Sequence, residues 1–113
     1  MNYPAPHLLG TVTPCPISLA LGTGYYRFVS PTGIAGLAKW ENARLDLLAV
    51  HADHPGTGQF RQFMKLAKQQ FHSIRVWSIW NNDLAAMLVR YDFLPATETQ
   101  PDGEVVTGMR WDT

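Results

Sequence analysis

The run Val50-His51-Ala52-Asp53-His54-Pro55-Gly56-Thr57-Gly58-Gln59-Phe60 gathers much of the chain's chemically versatile side chains and backbone into one short loop. Gly56 and Gly58 can take positive φ and let another molecule approach the main chain. A helix starting directly after them leaves its first N–H groups without internal acceptors and with a partial positive charge. That combination can cradle a diphosphate, although a lone Gly-x-Gly also occurs in ordinary strand-to-helix turns. His51, Asp53 and His54 carry metal-binding side chains, but no fourth ligand stands at a recognisable spacing, so no metal centre is expected.

The loop is useful only if the elements beside it hold it rigidly. Arg44-Leu45-Asp46-Leu47-Leu48-Ala49-Val50 begins as polar/apolar alternation and ends apolar, the pattern of a central strand covered on both faces near its end. Phe60, Phe63, Met64, Ala67 and Phe71 then repeat at spacings of three and four, one stripe of an amphipathic helix. Ser73 to Trp80 is rich in β-branched and aromatic residues, which predicts a strand and completes a strand–helix–strand unit with a parallel crossover. Asn81-Asn82-Asp83 supplies N-cap chemistry for a second helix carrying Leu84, Ala85, Met87, Leu88 and Tyr91, ended by Asp92-Phe93-Leu94-Pro95. Gln100-Pro101-Asp102-Gly103 predicts a turn between Thr97–Thr99 and Glu104–Trp111, which pair as a hairpin.

Upstream, Pro4, Pro6, Pro14 and Pro16 forbid any long helix and predict an extended or loosely attached arm over residues 1–16, followed by a single domain over 17–113. Ile17–Leu21 and Tyr25–Val29 read as short strands, and Ser30-Pro31-Thr32-Gly33 as a turn into Ile34–Trp40. Trp77 and Trp80 should point to opposite sheet faces, mainly as core packing. Trp40 and Trp111, near strand ends, are candidates for an apolar contact surface and a homodimer.

From roughly Ile34 to Trp111 these elements resemble the GNAT superfamily of acetyl-coenzyme A dependent N-acetyltransferases. Leu47 to Gly58 is similar to that family's strand and pyrophosphate loop. Asn81, followed twelve residues on by Phe93, is similar to its Asn-x-x-Ala-x-x-x-Tyr-x-x-x-Gly-Phe helix, and Gly103 to Trp111 looks like its closing strand. The resemblance implies a mixed α/β fold, with a mostly antiparallel sheet, one splayed parallel pair, two main helices and N-terminal helices reduced or absent. It implies acetyl-CoA as co-substrate, with pyrophosphate against Gly56, Thr57, Gly58, Gln59 and Phe60. Amides of Leu48, Ala49 and Val50 would polarise the thioester, with Asn81 also at the cofactor. The acceptor would be an amine of a protein or small molecule, attacking directly, in a cleft left open or closed by a second subunit or partner.

The chain departs from the family pattern at four places. Pro55 replaces Arg or Gln and lacks an N–H, Phe60 replaces the last Gly or Ala, Leu88 replaces the proton-donating Tyr, and Asp92 replaces Gly. Tyr91, one helical turn from Leu88, is the substitute proton donor, and Asp46, Glu41, His51 and His54 are the candidate bases, with Asp46 preferred. These departures keep open a second function class: a GNAT-like domain without catalysis, acting as a binding or structural protein, for example a bacteriophage virion or host-interaction component.

Composition bounds the choice. The chain has 113 residues, 46% hydrophobic and 16% charged, enough for one core and too few for two. A formal net charge of zero and no Lys/Arg stripe argue against a nucleic-acid surface. The lone Cys15 excludes an internal disulfide or a thiolate metal cluster. No membrane-spanning run or secretory leader is evident, and a cytoplasmic location is expected.

Overall fold

A computed structural model describes residues 7–15, 24–77, 79, 82–100 and 102–113. Seven strands form one sheet: β1 (Thr11–Pro14), β2 (Tyr26–Val29), β3 (Ile34–Glu41), β4 (Arg44–Ala52), β5 (Ser73–Trp77), β6 (Leu94–Thr99) and β7 (Val105–Asp112), in the order β1-β2-β3-β4-β5-β7-β6. Among the described strands only the β4–β5 pair is parallel, as a crossover through helix α1 (Gln59–Gln70) requires, and the other pairs are antiparallel. Helix α2 (Asn82–Arg90) connects β5 to β6. The mixed α/β architecture, with a mostly antiparallel sheet and two helices, is the one expected.

The two faces of the sheet are packed differently. Leu45 and Leu47 of β4, Ile74 and Val76 of β5, Met109 of β7 and Ala38 of β3 share one face, and Phe60, Phe63, Met64 and Ala67 of α1 and Leu88 of α2 bury against it. Phe28 stacks on Phe63 with ring centroids 5.9 Å apart. The alternate residues face the other way, where Tyr25, Leu48 and Trp77 form a smaller cluster joined by Leu37, Ala96 and Val106. Arg44 on β4 and Glu98 on β6 are ion-paired at 3.4 Å, although two strands lie between theirs. A flat sheet would hold those strands roughly 14 Å apart. The sheet therefore curls over its second face, which is concave.

Of the N-terminal alternatives, loose attachment is corrected, while Thr11–Pro14 is extended. Residues 7–14 are not a loose arm: Leu8 and Leu9, in a 3₁₀ turn at His7–Leu9, are buried in the main core, and Thr11–Pro14 pairs with β2 as an edge strand. Proline shapes this segment without detaching it, because Pro14 at the strand's end sits where a missing N–H costs little. Residues 1–6 and 16–23, with Pro4, Pro6, Pro16 and the strand expected at Ile17–Leu21, lie outside the described residues, as do Trp80 and Asn81. Of the strand expected to reach Trp80, the described part is Ser73–Trp77, and Ser78 also lies outside the described residues. Trp40 and Trp111 pack against the main core, Trp40 also lying 5.1 Å from Tyr26. Their apolar surface is thus largely spent inside the molecule.

The end of α2 explains one departure from the family pattern. Asp92 has φ 70°, and the Phe93 N–H donates to the Leu88 carbonyl at 3.0 Å while the Asp92 N–H donates to that of Val89 at 3.1 Å. This is a Schellman stop, with Phe93 and Leu88 supplying its buried apolar contact. Aspartate tolerates the left-handed region at some cost, where glycine has none. Asp92→Gly is expected to raise stability by about 0.5–1 kcal/mol, read as a higher urea midpoint with an unchanged slope.

Candidate functional site

The parallel pairing of β4 with β5 runs from Arg44↔Ser73 to Leu48↔Trp77 and stops. β4 continues to Ala52, so from Ala49 onward its main chain has no strand partner on the β5 side among the described residues. On its other side the register with β3 slips at the same level: Leu37 pairs with Leu48 and Ala35 with His51, leaving Ala49 and Val50 opposite the single residue Gly36. Ala49 takes φ 55°, a left-handed conformation costing an alanine roughly 1–2 kcal/mol. This is a β-bulge, and it turns β4's peptide groups out of the ladder where the two parallel strands part. A Cβ at Gly36 would lie 2.9 Å from the Ala49 carbonyl oxygen and 2.9 Å from the Val50 Cα, so a side chain there is incompatible with the bulge.

After Ala52 the chain turns into α1. The Thr57 N–H donates to the His54 carbonyl at 3.3 Å, with Pro55 and then Gly56 at φ 84° between them, the arrangement of a type II turn. Pro55 is the residue that presets this turn, so its missing N–H accompanies a gain in rigidity. Thr57 Oγ1 also donates to the His54 carbonyl at 2.6 Å, and the His54 N–H donates to Gln59 Oε1 at 2.9 Å. Gln59 thus clamps the loop with its side chain. Gly58, again at φ 84°, is the N-cap of α1; no side chain caps it and no acidic residue lies in the first turn. The N-terminal amides of α1 and their partial positive charge are left for an external acceptor. Nothing lies within 4 Å of where a Cβ would stand on Gly56 or Gly58, so the loop is open on that side.

The remaining expected site residues divide clearly. Phe60 is 6% exposed and turns into the core beside Phe63, so its ring does not crowd the loop. Asp46 is 6% exposed on the concave face, where its Oδ1 accepts from Arg44 Nε at 3.1 Å, Arg44 Nη2 at 3.0 Å and Trp77 Nε1 at 3.3 Å. His51 and His54 are exposed, His51 Nδ1 lying 3.5 Å from the Ala49 carbonyl. No group of three metal-ligating side chains is found among the described residues. Glu41 pairs with Arg44 at the opposite end of β4 from the bulge.

Tyr91 is not brought to the loop. Its carbonyl accepts from Lys68 Nζ, and that ammonium also lies 6.0 Å from the Tyr91 ring, 5.8 Å from that of Phe93 and 5.0 Å from that of Trp111. Lys68 is roughly 13 Å along α1 from its start, and Trp111 pairs with Ile74 near the beginning of β5. The expected proton donor therefore sits at the far end of the sheet from the gap. Leu88, in the other position considered, is fully buried in the main core.

Three features of the site were not expected. The bulge was detectable in principle, because an isolated glycine in a strand pattern, here Gly36, marks one. Gly108 on β7 is a second such glycine; a Cβ there would strike the Val76 carbonyl oxygen and lie 2.8 Å from the Trp77 ring. Tyr25 is the third. Its ring is buried, its hydroxyl has no hydrogen-bond partner, and burial, followed by Asp46 and Glu98, pushes its ionisation far above the ordinary 10.0, against the smaller opposing effect of Arg44.

Compared with known proteins, the chain matches no family model and no curated protein sequence. No helix among the described residues is long and apolar enough to cross a membrane.

Two outcomes follow. Gly36→Ala is expected to destabilise the fold by about 1–3 kcal/mol, measured by urea unfolding, because the bulge must move to admit one methyl group. For Tyr25 the folded state favours the neutral phenol, so its contribution is complete below the unfolded value near 10.0 and falls as pH rises above it. Thermal melts from pH 8 upward should show the loss of stability above about pH 10 to be shallower in Tyr25→Phe than in the parent.

Proposed function

We propose that this chain is an acetyl-CoA dependent N-acetyltransferase of the GNAT type, acting in the cytoplasm on an amine acceptor. The observation that carries the reading is the conjunction, at and after the end of β4, of three features: the bulge at Ala49, the end of the described β4–β5 pairing at Leu48, and the uncapped start of α1 behind Gly56 and Gly58. The first supplies peptide groups turned out of the ladder, the second a slot for an extended chain, and the third amides for phosphate.

When bound, acetyl-CoA supplies an activated acetyl group whose carbonyl carbon forms a C–N bond with the amine as the C–S bond breaks and sulfur keeps the electron pair. The amides from Gly58 to Arg61 hold the pyrophosphate. Main-chain N–H groups at the bulge stabilise negative charge developing on the carbonyl oxygen. Asp46, held by Arg44 and Trp77, is on the face from which an amine proton would be taken.

The placement of Leu88 and Tyr91 favours a second reading, in which the same scaffold has lost catalysis and serves as a binding or structural protein. Calorimetric titration with acetyl-CoA, with dephospho-CoA and ATP as controls, separates the two. Selective binding in the micromolar range, lost in Gly58→Arg, is expected for the enzyme; no binding at on the order of 1 mM would leave the scaffold reading.

A further inference from the structure

Strand β6 is an edge of the sheet, and two hydrogen bonds fix which of its backbone groups are free. The Gln100 N–H donates to the Glu104 carbonyl at 2.7 Å, and the Thr113 N–H donates to that of His72 at 2.9 Å. Bonded and non-bonded pairs alternate along an antiparallel ladder. Counted back along the two registers, Leu94, Ala96 and Glu98 bond to β7, while Pro95, Thr97 and Thr99 turn their backbone groups away from it. Pro95 therefore lacks its N–H where the ladder does not need one. Thr97 and Thr99 are exposed, and among the described residues neither has a hydrogen bond outside the ladder.

An edge of that kind accepts an added strand, and its own sequence selects a second β6. In a two-fold antiparallel pairing with Thr97 facing Thr97, the threonines exchange two bonds, and each Thr99 N–H donates to the Pro95 carbonyl of the other copy. Sliding one way pairs Thr97 with Thr99 but sets Glu98 directly against itself, a destabilising like-charge contact. Sliding the other way pairs Thr97 with Pro95 and loses a donor on each side. The favoured register also matches charge. The end of β6 carries Glu98, with Glu104 across the turn; its start is flanked by Arg110, whose one ion pair among the described residues is to Asp112 at 3.9 Å. Antiparallel pairing brings the acidic end of each copy to the basic start of the other. Two of the large apolar side chains left exposed, Leu94 and Val105, flank the same edge, and a formal net charge of zero does not oppose the approach of two copies.

We propose that the chain forms a homodimer through β6, joining two seven-stranded sheets into one about a two-fold axis at Thr97. This surface is separate from Trp40 and Trp111, which pack against the main core. It is also separate from the glycine loop, so the proposal stands or falls independently of the acetyltransferase reading.

The test combines sedimentation velocity with amide hydrogen exchange read by NMR, on the full chain from about 10 μM to about 1 mM. The expected result is a dimer at the upper end, with protection of the Thr97 and Thr99 amides that grows with concentration. The Ala96 and Glu98 amides, bonded to β7, should be protected throughout. Thr97→Pro removes the outward N–H without touching the β6–β7 ladder, and should raise the dissociation constant about tenfold or more with an unchanged circular dichroism spectrum. Thr97→Val, which keeps that N–H, should dimerise like the parent. If the proline variant does not fold, the parent's exchange data decide. A chain that stays monomeric throughout, a dimer whose Thr97 and Thr99 amides exchange without protection, or protection that does not change with concentration would overturn the proposal. So would a folded Thr97→Pro that dimerises as the parent does.

Discussion

The structure turns on a conflict inside β4. Up to Leu48 the strand is laddered on both sides, to β3 and to β5, and its apolar residues are fully buried. One residue later the chain inserts Ala49 in a left-handed conformation opposite Gly36, and no described residue pairs with it on the β5 side. Backbone strain of roughly 1–2 kcal/mol at an alanine persists only where its surroundings impose it. Here they do: Ala35↔His51 resumes the register beyond the bulge, and the Asp53 N–H donates to the Gly33 carbonyl at 2.9 Å, fixing the strand's exit. Among the described residues β4 therefore runs on past its last pairing with β5, its course set by pairing on the β3 side.

That constraint accounts for what the neighbouring side chains do. Because α1 begins directly after the bulged strand, its apolar stripe must close the core on the helix side, and Phe60 is committed to that stripe rather than to the loop. Leu88 and Phe93 lock the end of α2 into the same core through the Schellman stop. Lys68 then ties α1 to that stop through the Tyr91 carbonyl and three aromatic rings, a set of cation–π contacts that keeps Tyr91 far from the loop. The polar groups are left to the concave face, where Asp46, Arg44, Glu98 and Tyr25 lie over the apolar cluster of Leu48 and Trp77.

Periodicity carried the elements from Ile34 onward, since a stripe such as Phe60-Phe63-Met64-Ala67 has one good solution, and turn chemistry at Ser30–Gly33 and Gln100–Gly103 was local enough to read from composition. The edge strand at Thr11–Pro14 was hidden because proline density masks a strand whose partner, β2, is contributed by residues further along the chain. The loop residues of the candidate site were legible as well, glycines and proline being the turn's own requirements. What was not legible depends on the register between strands. That Asp46 meets Trp77, that Arg44 reaches Glu98 across the curl, and that Tyr25 is buried without a partner are consequences of pairing and twist, which no local window contains. Tyr91 was misjudged for the same reason: one helical turn from Leu88 describes a position on α2, whereas its distance from the gap is set by how α2 docks on α1.

The burial of Leu88 and the placement of Tyr91 away from the glycine loop bear on the proposed chemistry less than they first suggest. A thiol ionises near pH 8.5, so a departing thiolate is already a tolerable leaving group in neutral water, unlike an amine or alkoxide. General acid assistance is worth about 10²–10⁴-fold in rate, and a leaving group that needs little protonation forfeits the smaller end of that range. The charge that does need stabilising is on the carbonyl oxygen, and each preorganised donor there contributes about 10²–10³-fold. On the proposed reading those donors would be peptide N–H groups at the bulge, whose shape depends on Gly36 and not on Leu88 or Tyr91. On the proposed reading, a chain with β4's bulge and leucine at position 88 would keep the larger share of such an effect, and the residue whose loss would matter most is Gly36, on the neighbouring strand.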